Sequence, residues 1–257
     1  MSSTTPKPLA RVVASPVAWS LVPLAVVLVL GAVFHQKGAF FAWDSHRAML
    51  RAISVHGVLA CGMTVVIIAA GIDLSVGSLV ALAAVSFASL LMPFGWSAPA
   101  AIAAVLAIGL LAGSCSGWLV ARHRIQPFVV TLAMMAFARG LAKQLSGGKK
   151  VTTYVIGSDG VGRLGELPPI FDLIDQKVLG GHVAVVTLVF AACAAITWIV
   201  LTRLRVGRYL YAVGGNLEAA RLSGVPTQRT LVFAYAYCGV MSAIAGICQA
   251  AQETNGD

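Results

Sequence analysis

Apolar residues in this chain come in long blocks, with the polar residues gathered between them. The blocks cover 17–34, 53–70, 76–92, 98–121, 128–145, 183–201 and 230–251, and most carry no charge. Coiled as helices, segments of about 17 to 25 apolar residues match a bilayer core of roughly 30 Å. The short alternating segments of a membrane β-barrel are absent from the sequence. The pattern predicts an all-α, polytopic membrane protein with seven spans. Residues 1–16, with three prolines, Lys7 and Arg11, are expected to form a tail before the first span. A cleaved signal peptide is the rival reading of that span. Its length, and the lack of a small-x-small site before His35-Gln36-Lys37, favour a retained helix.

The polar intervals carry the organisation. Asp44, His46 and Arg47 are expected in a loop before the second span, and Pro93–Ser97 in a tight turn after the third. Arg122-His123-Arg124 closes the fourth span, and Pro127 sits where a first helical turn tolerates proline. Residues 146–182 form the longest polar stretch, and loops of that length are often functional. Residues 202–229 are strongly basic, with Arg203, Arg205, Arg208, Arg221 and Arg229 against Glu218. Within them, Asn216–Ser223 reads as a short helix delimited by Gly214-Gly215 and Gly224-Val225-Pro226. Such a helix suits docking into a groove on another protein; equally, a solvated basic loop would serve to set topology. The density of Arg and Lys in the short segments around 7–11, 122–124 and 203–229 places these, and the amino terminus, in the cytoplasm. Loop 146–182 then faces the periplasm.

Composition narrows the class. The chain is 59% hydrophobic and 11% charged, with mean hydropathy +0.89, outside the ordinary range of soluble domains. The net charge of +9 comes from residues beside the spans, where they set topology and meet anionic lipid, so it does not point to nucleic acid. Cys61, Cys115, Cys193, Cys238 and Cys248 lie inside apolar runs without metal spacing and are expected to pack as small residues.

Few polar groups lie within the spans or in the short connection between the second and third. Gly109, Gly113 and Gly117 make two overlapping GxxxG steps in the fourth span, a face on which another helix can approach closely. Arg139 and Lys143 lie one turn apart in the fifth, where both heads are expected to snorkel. Asp73, between the second and third spans, belongs either at an interface or in a polar path. The lengths of the flanking runs favour a turn at the cytoplasmic end, with Asp73 or Ser75 capping the third span. The alternative offers that helix terminus to a ligand deeper in the bilayer. No catalytic constellation, metal cluster or cofactor motif is found, and Gly147-Gly148-Lys149 lacks the remaining residues of a phosphate loop. Transport energy would come from a gradient, with Asp73 as the coupling group, or from a partner.

Three ordered stretches identify a family. Ala70-Gly-Ile-Asp-Leu-Ser-Val-Gly-Ser78, Gln126-Pro-Phe-Val-Val-Thr-Leu-Ala-Met-Met-Ala-Phe-Ala-Arg-Gly-Leu141 and Val206–Val225 resemble the permease subunits of ribose/xylose-type (monosaccharide) ABC importers. The resemblance implies a subunit of a bacterial inner-membrane importer. Its partners would be a second permease copy in a homodimer, a separate ABC ATPase subunit and a periplasmic sugar-binding protein. It makes Gly214, Gly215, Asn216, Glu218, Ala219, Ala220, Arg221, Ser223 and Gly224 the segment that couples to the ATPase. Asp73, Ser75, Gly77, Thr131 and Arg139 become candidates for the turn or the translocation path. Such permeases usually have about ten spans, so residues 17–257 are expected to be a permease domain incomplete at its carboxy end.

Overall fold

The computed structural model describes residues 16–34, 36–149, 151, 154–156, 162–164, 166–178 and 180–254. Residues 1–15 of the expected tail lie outside these. Among the described residues, five helices are long and apolar enough to cross a membrane, with shorter apolar helices in the first and third positions. All seven apolar blocks are therefore helical, though the helix in the third position, at 16 residues, falls short of a full crossing by itself.

Two compact units divide at Leu50. The first contains α1 (Pro16–Val33), a 3-10 turn (Gln36–Phe41) and the opening turns of α2 (Trp43–Ile68). Side chains of α1 from Leu21 to Leu30 are exposed all round, as expected of a helix bathed in lipid. Asp44, His46 and Arg47 do not form the expected loop: α2 starts ten residues earlier than the apolar block. Asp44 lies in its first turn, ion-paired to Arg47 three residues on, and Phe40 meets His46 edge-on at 6.2 Å. An acid in the first turn complements the helix dipole, so polar residues extend the helix past its apolar part.

The second unit is built around α10 (Thr227–Thr254), the most buried of the crossing helices. Against it lies α4 (Ala98–His123). A Cβ on Gly109 would strike the Gly239 carbonyl, one on Gly113 the Tyr235 carbonyl, and one on Gly117 would lie 2.8 Å from the Val232 Cα. The small-residue face read from the sequence thus finds its partner helix, and backbone contact replaces side-chain packing. The other side of α10 takes α3 (Val76–Leu91), through Gly246 facing Ala83 and the Val80 carbonyl. Leu79 and Leu82 of α3 pack on Ala138 and Ala142 of α5 (Pro127–Ser146). Val58 of α2 and Val186 and Cys193 of α7 (Val185–Thr202) close a further core with Met241 and Cys248 of α10.

The described residues between 146 and 184 hold regular elements where a long loop was expected. They contain two small antiparallel pairs, β1 (Tyr154–Ile156) with β2 (Gly162–Leu164) and β3 (Lys177–Val178) with β4 (Val183–Ala184), and a short helix α6 (Pro169–Asp175). Phe171 of α6 is fully buried against Phe87 of α3, with ring centroids 5.4 Å apart. Arg51 Nε donates to Asp175 Oδ1 at 2.9 Å, and Gln252 Nε2 donates to the Arg51 carbonyl at 3.2 Å. Three segments far apart in sequence are tied together at this end.

At the other end, two helices replace the expected single one: α8 (Arg205–Gly215) and α9 (Leu217–Leu222). Gly214 and Gly215 do not break the chain ahead of the short helix; they form the last turn of α8.

Candidate functional site

The end that carries the basic loop also holds the Asp73 connection. α2 stops with the Ala70 N–H bonded to the Ile67 carbonyl and the Gly71 N–H to the Val66 carbonyl, both at 2.9 Å. That pair of bonds is a Schellman closure, which needs one residue in the left-handed region. Ala70 takes it, at φ 56°. The glycine is placed one residue later for a different reason: a Cβ on Gly71 would lie 2.6 Å from the Tyr235 hydroxyl. Ala70 accepts the strained conformation, and Gly71 provides the clearance for Tyr235.

The chain then turns inward and buries Asp73, which is 1% exposed. Its Oδ1 accepts the Ser75 N–H at 2.8 Å and the Ser75 hydroxyl at 2.6 Å. Oδ2 has no hydrogen-bond partner among the described residues, and the same holds for the Tyr235 hydroxyl. Ser75 stands at the N-cap of α3, but its side chain makes no capping bond; the carboxylate of Asp73 takes the N–H instead. Neither residue therefore makes the expected cap: Asp73 closes an Asx turn onto Ser75 just ahead of α3, and among the described residues no side chain bonds the N–H groups of its first turn.

Thr131 reaches the same turn. Its hydroxyl donates to the Pro127 carbonyl at 2.9 Å and lies 3.5 Å from the Ile72 carbonyl. Gly77 faces open space, with nothing within 4 Å of a built Cβ. Arg139 is exposed, like Lys143, and lies twelve residues into α5, so it does not join Asp73. Asp73, Ser75 and Thr131 are brought together; Gly77 and Arg139 are not.

The basic loop packs directly on this connection. Gly207, Leu210 and Val213 form the buried face of α8, while Arg205, Arg208 and Tyr211 point away. A Cβ on Gly214 would fall on the Ile68 carbonyl, so α8 touches the end of α2 backbone to backbone. Asn216 then caps α9, its Oδ1 accepting the Ala219 N–H at 2.9 Å. Ser223 forms the C-cap, and Gly224 follows at φ 81° to close a second Schellman turn, with the Val225 N–H on the Ala220 carbonyl at 3.0 Å. Only Ala220 of α9 is buried. Glu218 and Arg221 pair on the exposed face at 2.6 Å, while Leu217 and Leu222 stand 50% and 78% exposed. A capped helix holding two leucines outward is shaped to be covered.

Between α9, the 69–71 turn, the end of α4 and the start of α10 lies a cavity of about 470 Å³, with Tyr235, Arg124 and Gln126 among its walls. It places the 69–71 turn, residues 124–127 and residues 217–228 at one end of the unit. Among the described residues no cluster of three or more His, Cys, Asp and Glu could hold a metal.

Two features escaped the sequence reading. Tyr235 lies more than 160 residues from the turn it covers, and nothing in the sequence separates it from Tyr237, the other polar aromatic of the same run. The helix α8 was legible in the spacing of Gly207, Leu210 and Val213-Gly214, but Arg205 at its start and Arg208 within it masked it.

Comparison with known proteins adds to this geometry. A family model described as "Branched-chain amino acid transport system / permease component" matches residues 47–257. The ribose import permease protein RbsC of Escherichia coli (strain K12) is 35% identical over 236 residues, covering 89% of this chain and 68% of the relative. The xylose transport system permease protein XylH of the same strain is 31% identical over 274 residues, covering 88% and 70%. The fructose import permease protein FrcC of Rhizobium meliloti is 31% identical over 236 residues, covering 90% and 62%. No solved structure matches the chain.

Proposed function

The chain belongs to the branched-chain amino acid transport system / permease component family, and from that premise we propose how its parts serve transport. It is a membrane-spanning permease subunit of a sugar ABC importer, a multi-pass protein of the bacterial inner membrane and a transporter subunit, not an enzyme. The family description names amino acids, but the relatives at 31–35% identity import ribose, fructose and xylose, and this supports a monosaccharide as the substrate. An importer of this kind works with a separate ATPase and a binding protein. We assign a second permease copy as the further partner, in a homodimer.

The observation that carries the coupling assignment is α9, a helix capped at both ends that holds Leu217 and Leu222 outward beside the Glu218–Arg221 pair. In this reading α9 seats in a groove of the ATPase. The apolar side chains supply the contact area, and the ion pair at the rim sets orientation. Movement of α9 passes to α8 through the single residue Asn216. It passes from α8 to the Asp73 connection through Gly214 and the Ile68 carbonyl. Because that contact is backbone on backbone, with no side chain to yield between them, a displacement of α8 must move the end of α2. Asp73, holding Ser75, carries the motion into the start of α3.

The test is sugar uptake in proteoliposomes holding the chain with its ATPase and binding protein. Accumulation that requires ATP and survives an uncoupler supports the assignment. Accumulation abolished by the uncoupler with ATP held constant would instead make this a gradient-driven carrier. A panel of ribose, xylose and fructose identifies the substrate.

A further inference from the structure

A second cleft opens on the outer side of the same end, between α4 and α10, with a volume of about 380 Å³. Its two ends differ in chemistry. Arg122, in the last turn of α4, and Arg229, in the first turn of α10, flank the mouth; Trp118, Val232 and Phe233 line the part that runs into the apolar span, over a floor at Ala121. The cleft is a consequence of the helix packing already described. Gly117 brings the backbones of α4 and α10 together at Val232, and the larger side chains beside that contact, Trp118 and Phe233, are left standing as walls.

The two arginines have no counter-ion among the described residues. Both are exposed, no aspartate or glutamate lines the cleft, and among the described residues neither forms a salt bridge. The acids available at this end are Glu218, paired to Arg221, and Asp73, buried with Ser75. Trp118 is half exposed, one turn deeper than Arg122 on the same helix face, the level at which an indole ring sits at a membrane interface.

We propose that the groove between α4 and α10 binds an anionic phospholipid, its phosphate held between Arg122 and Arg229 and its acyl chain lying along Trp118, Val232 and Phe233. Two guanidinium groups match one phosphodiester in charge and in hydrogen-bonding geometry. The apolar walls require an attached chain, which a free phosphate lacks. Basic pockets between spans are where such headgroups are taken from a bilayer. Because α10 follows α9 after only the four residues 223–226, the lipid would brace the root of the basic loop. This site is independent of which sugar is moved.

The detergent-solubilised chain, equilibrated with mixed micelles of phosphatidylglycerol and phosphatidylcholine, is read by native mass spectrometry for retained lipid. The site predicts retention of phosphatidylglycerol over phosphatidylcholine, at roughly five-fold for each arginine near the headgroup. Arg122→Gln with Arg229→Gln brings the two lipids to parity, whereas Arg122→Lys with Arg229→Lys keeps part of the preference. Arg205→Gln with Arg208→Gln, outside the cleft at the same end, leaves it unchanged. Should the glutamine pair fail to fold, the unaltered chain still decides: the preference falls as salt is raised, and glycerol phosphate without acyl chains does not displace the lipid. Equal retention of both lipids, a preference untouched by the glutamine pair, or displacement by glycerol phosphate overturns the proposal. So does a glutamine pair that dissociates an oligomer, since the occupant would then be a second polypeptide.

Discussion

Gly214 lies against the carbonyl oxygen of Ile68, so the basic loop and the Asp73 connection meet with no side chain between them. A substitution at this point separates the two parts without altering either one's surface. Gly214→Val forces α8 away from α2, at a cost in the range of overpacking, roughly 1–3 kcal/mol. Binding of the ATPase should survive, because α9 keeps its cap and its exposed leucines. Sugar-stimulated hydrolysis should fall, which pull-down and ATPase assays on one preparation will separate.

Gly71 and Tyr235 form a second tight contact, and it can be tested reciprocally. Gly71→Ala places a methyl group 2.6 Å from the Tyr235 hydroxyl and is expected to lower the unfolding temperature in detergent. Tyr235→Phe removes the atom that is struck and, by itself, an unpartnered buried hydroxyl. The double variant Gly71→Ala/Tyr235→Phe should therefore recover much of the loss; strictly additive effects would refute the contact.

Asp73 is bound to Ser75 through one carboxylate oxygen, which an amide oxygen can replace. Asp73→Asn should keep both Ser75 bonds and leave ATP-driven uptake within about two-fold of normal, the scale of a modest hydrogen-bond change. Asp73→Ala leaves the buried Ser75 N–H and hydroxyl without an acceptor and should cost about 1–3 kcal/mol for each unsatisfied group. In a carrier coupled through protonation of Asp73, the asparagine variant would lose accumulation outright, so the two variants together separate the mechanisms.

The face formed by Gly109, Gly113 and Gly117 allows a comparison within one experiment. Gly113→Val drives a branched side chain into the α10 backbone and should abolish a monodisperse folded species. Gly140→Val, on α5, meets nothing within 4 Å and should be tolerated, as gel filtration in the same detergent will show.

Much of this fold was legible because lipid imposes a long and simple pattern. The seven apolar blocks needed no tertiary information to be recognised as helices, and the glycine face of α4 announced close packing before its partner was known. What the sequence concealed were places where one residue answers to a distant one. Asp44, His46 and Arg47 look like a loop by composition, yet the first turn of a helix accommodates an acid and its ion pair. Gly214 looks like a helix breaker by propensity, but it is spent on the approach to Ile68, 146 residues earlier in the chain. The order within 146–182 follows from Phe171 finding Phe87 and Asp175 finding Arg51, contacts that no local pattern encodes. At the candidate site, Asp73 stood out as an isolated acid, whereas Tyr235 above it could be recognised only once α10 was in place.

If α9 is the coupling element, its two outward leucines hold the ATPase. The measurement is sugar-stimulated ATP hydrolysis by the reconstituted importer carrying Leu217→Asp and Leu222→Asp, two positions whose side chains touch solvent in the subunit and so can change without disturbing its core. The variant should insert and fold normally, lose its hold on the ATPase, and show hydrolysis that no longer rises when the loaded binding protein is added. Stimulation equal to that of the unaltered chain, with the variant shown to be present in the complex, would contradict that role for α9.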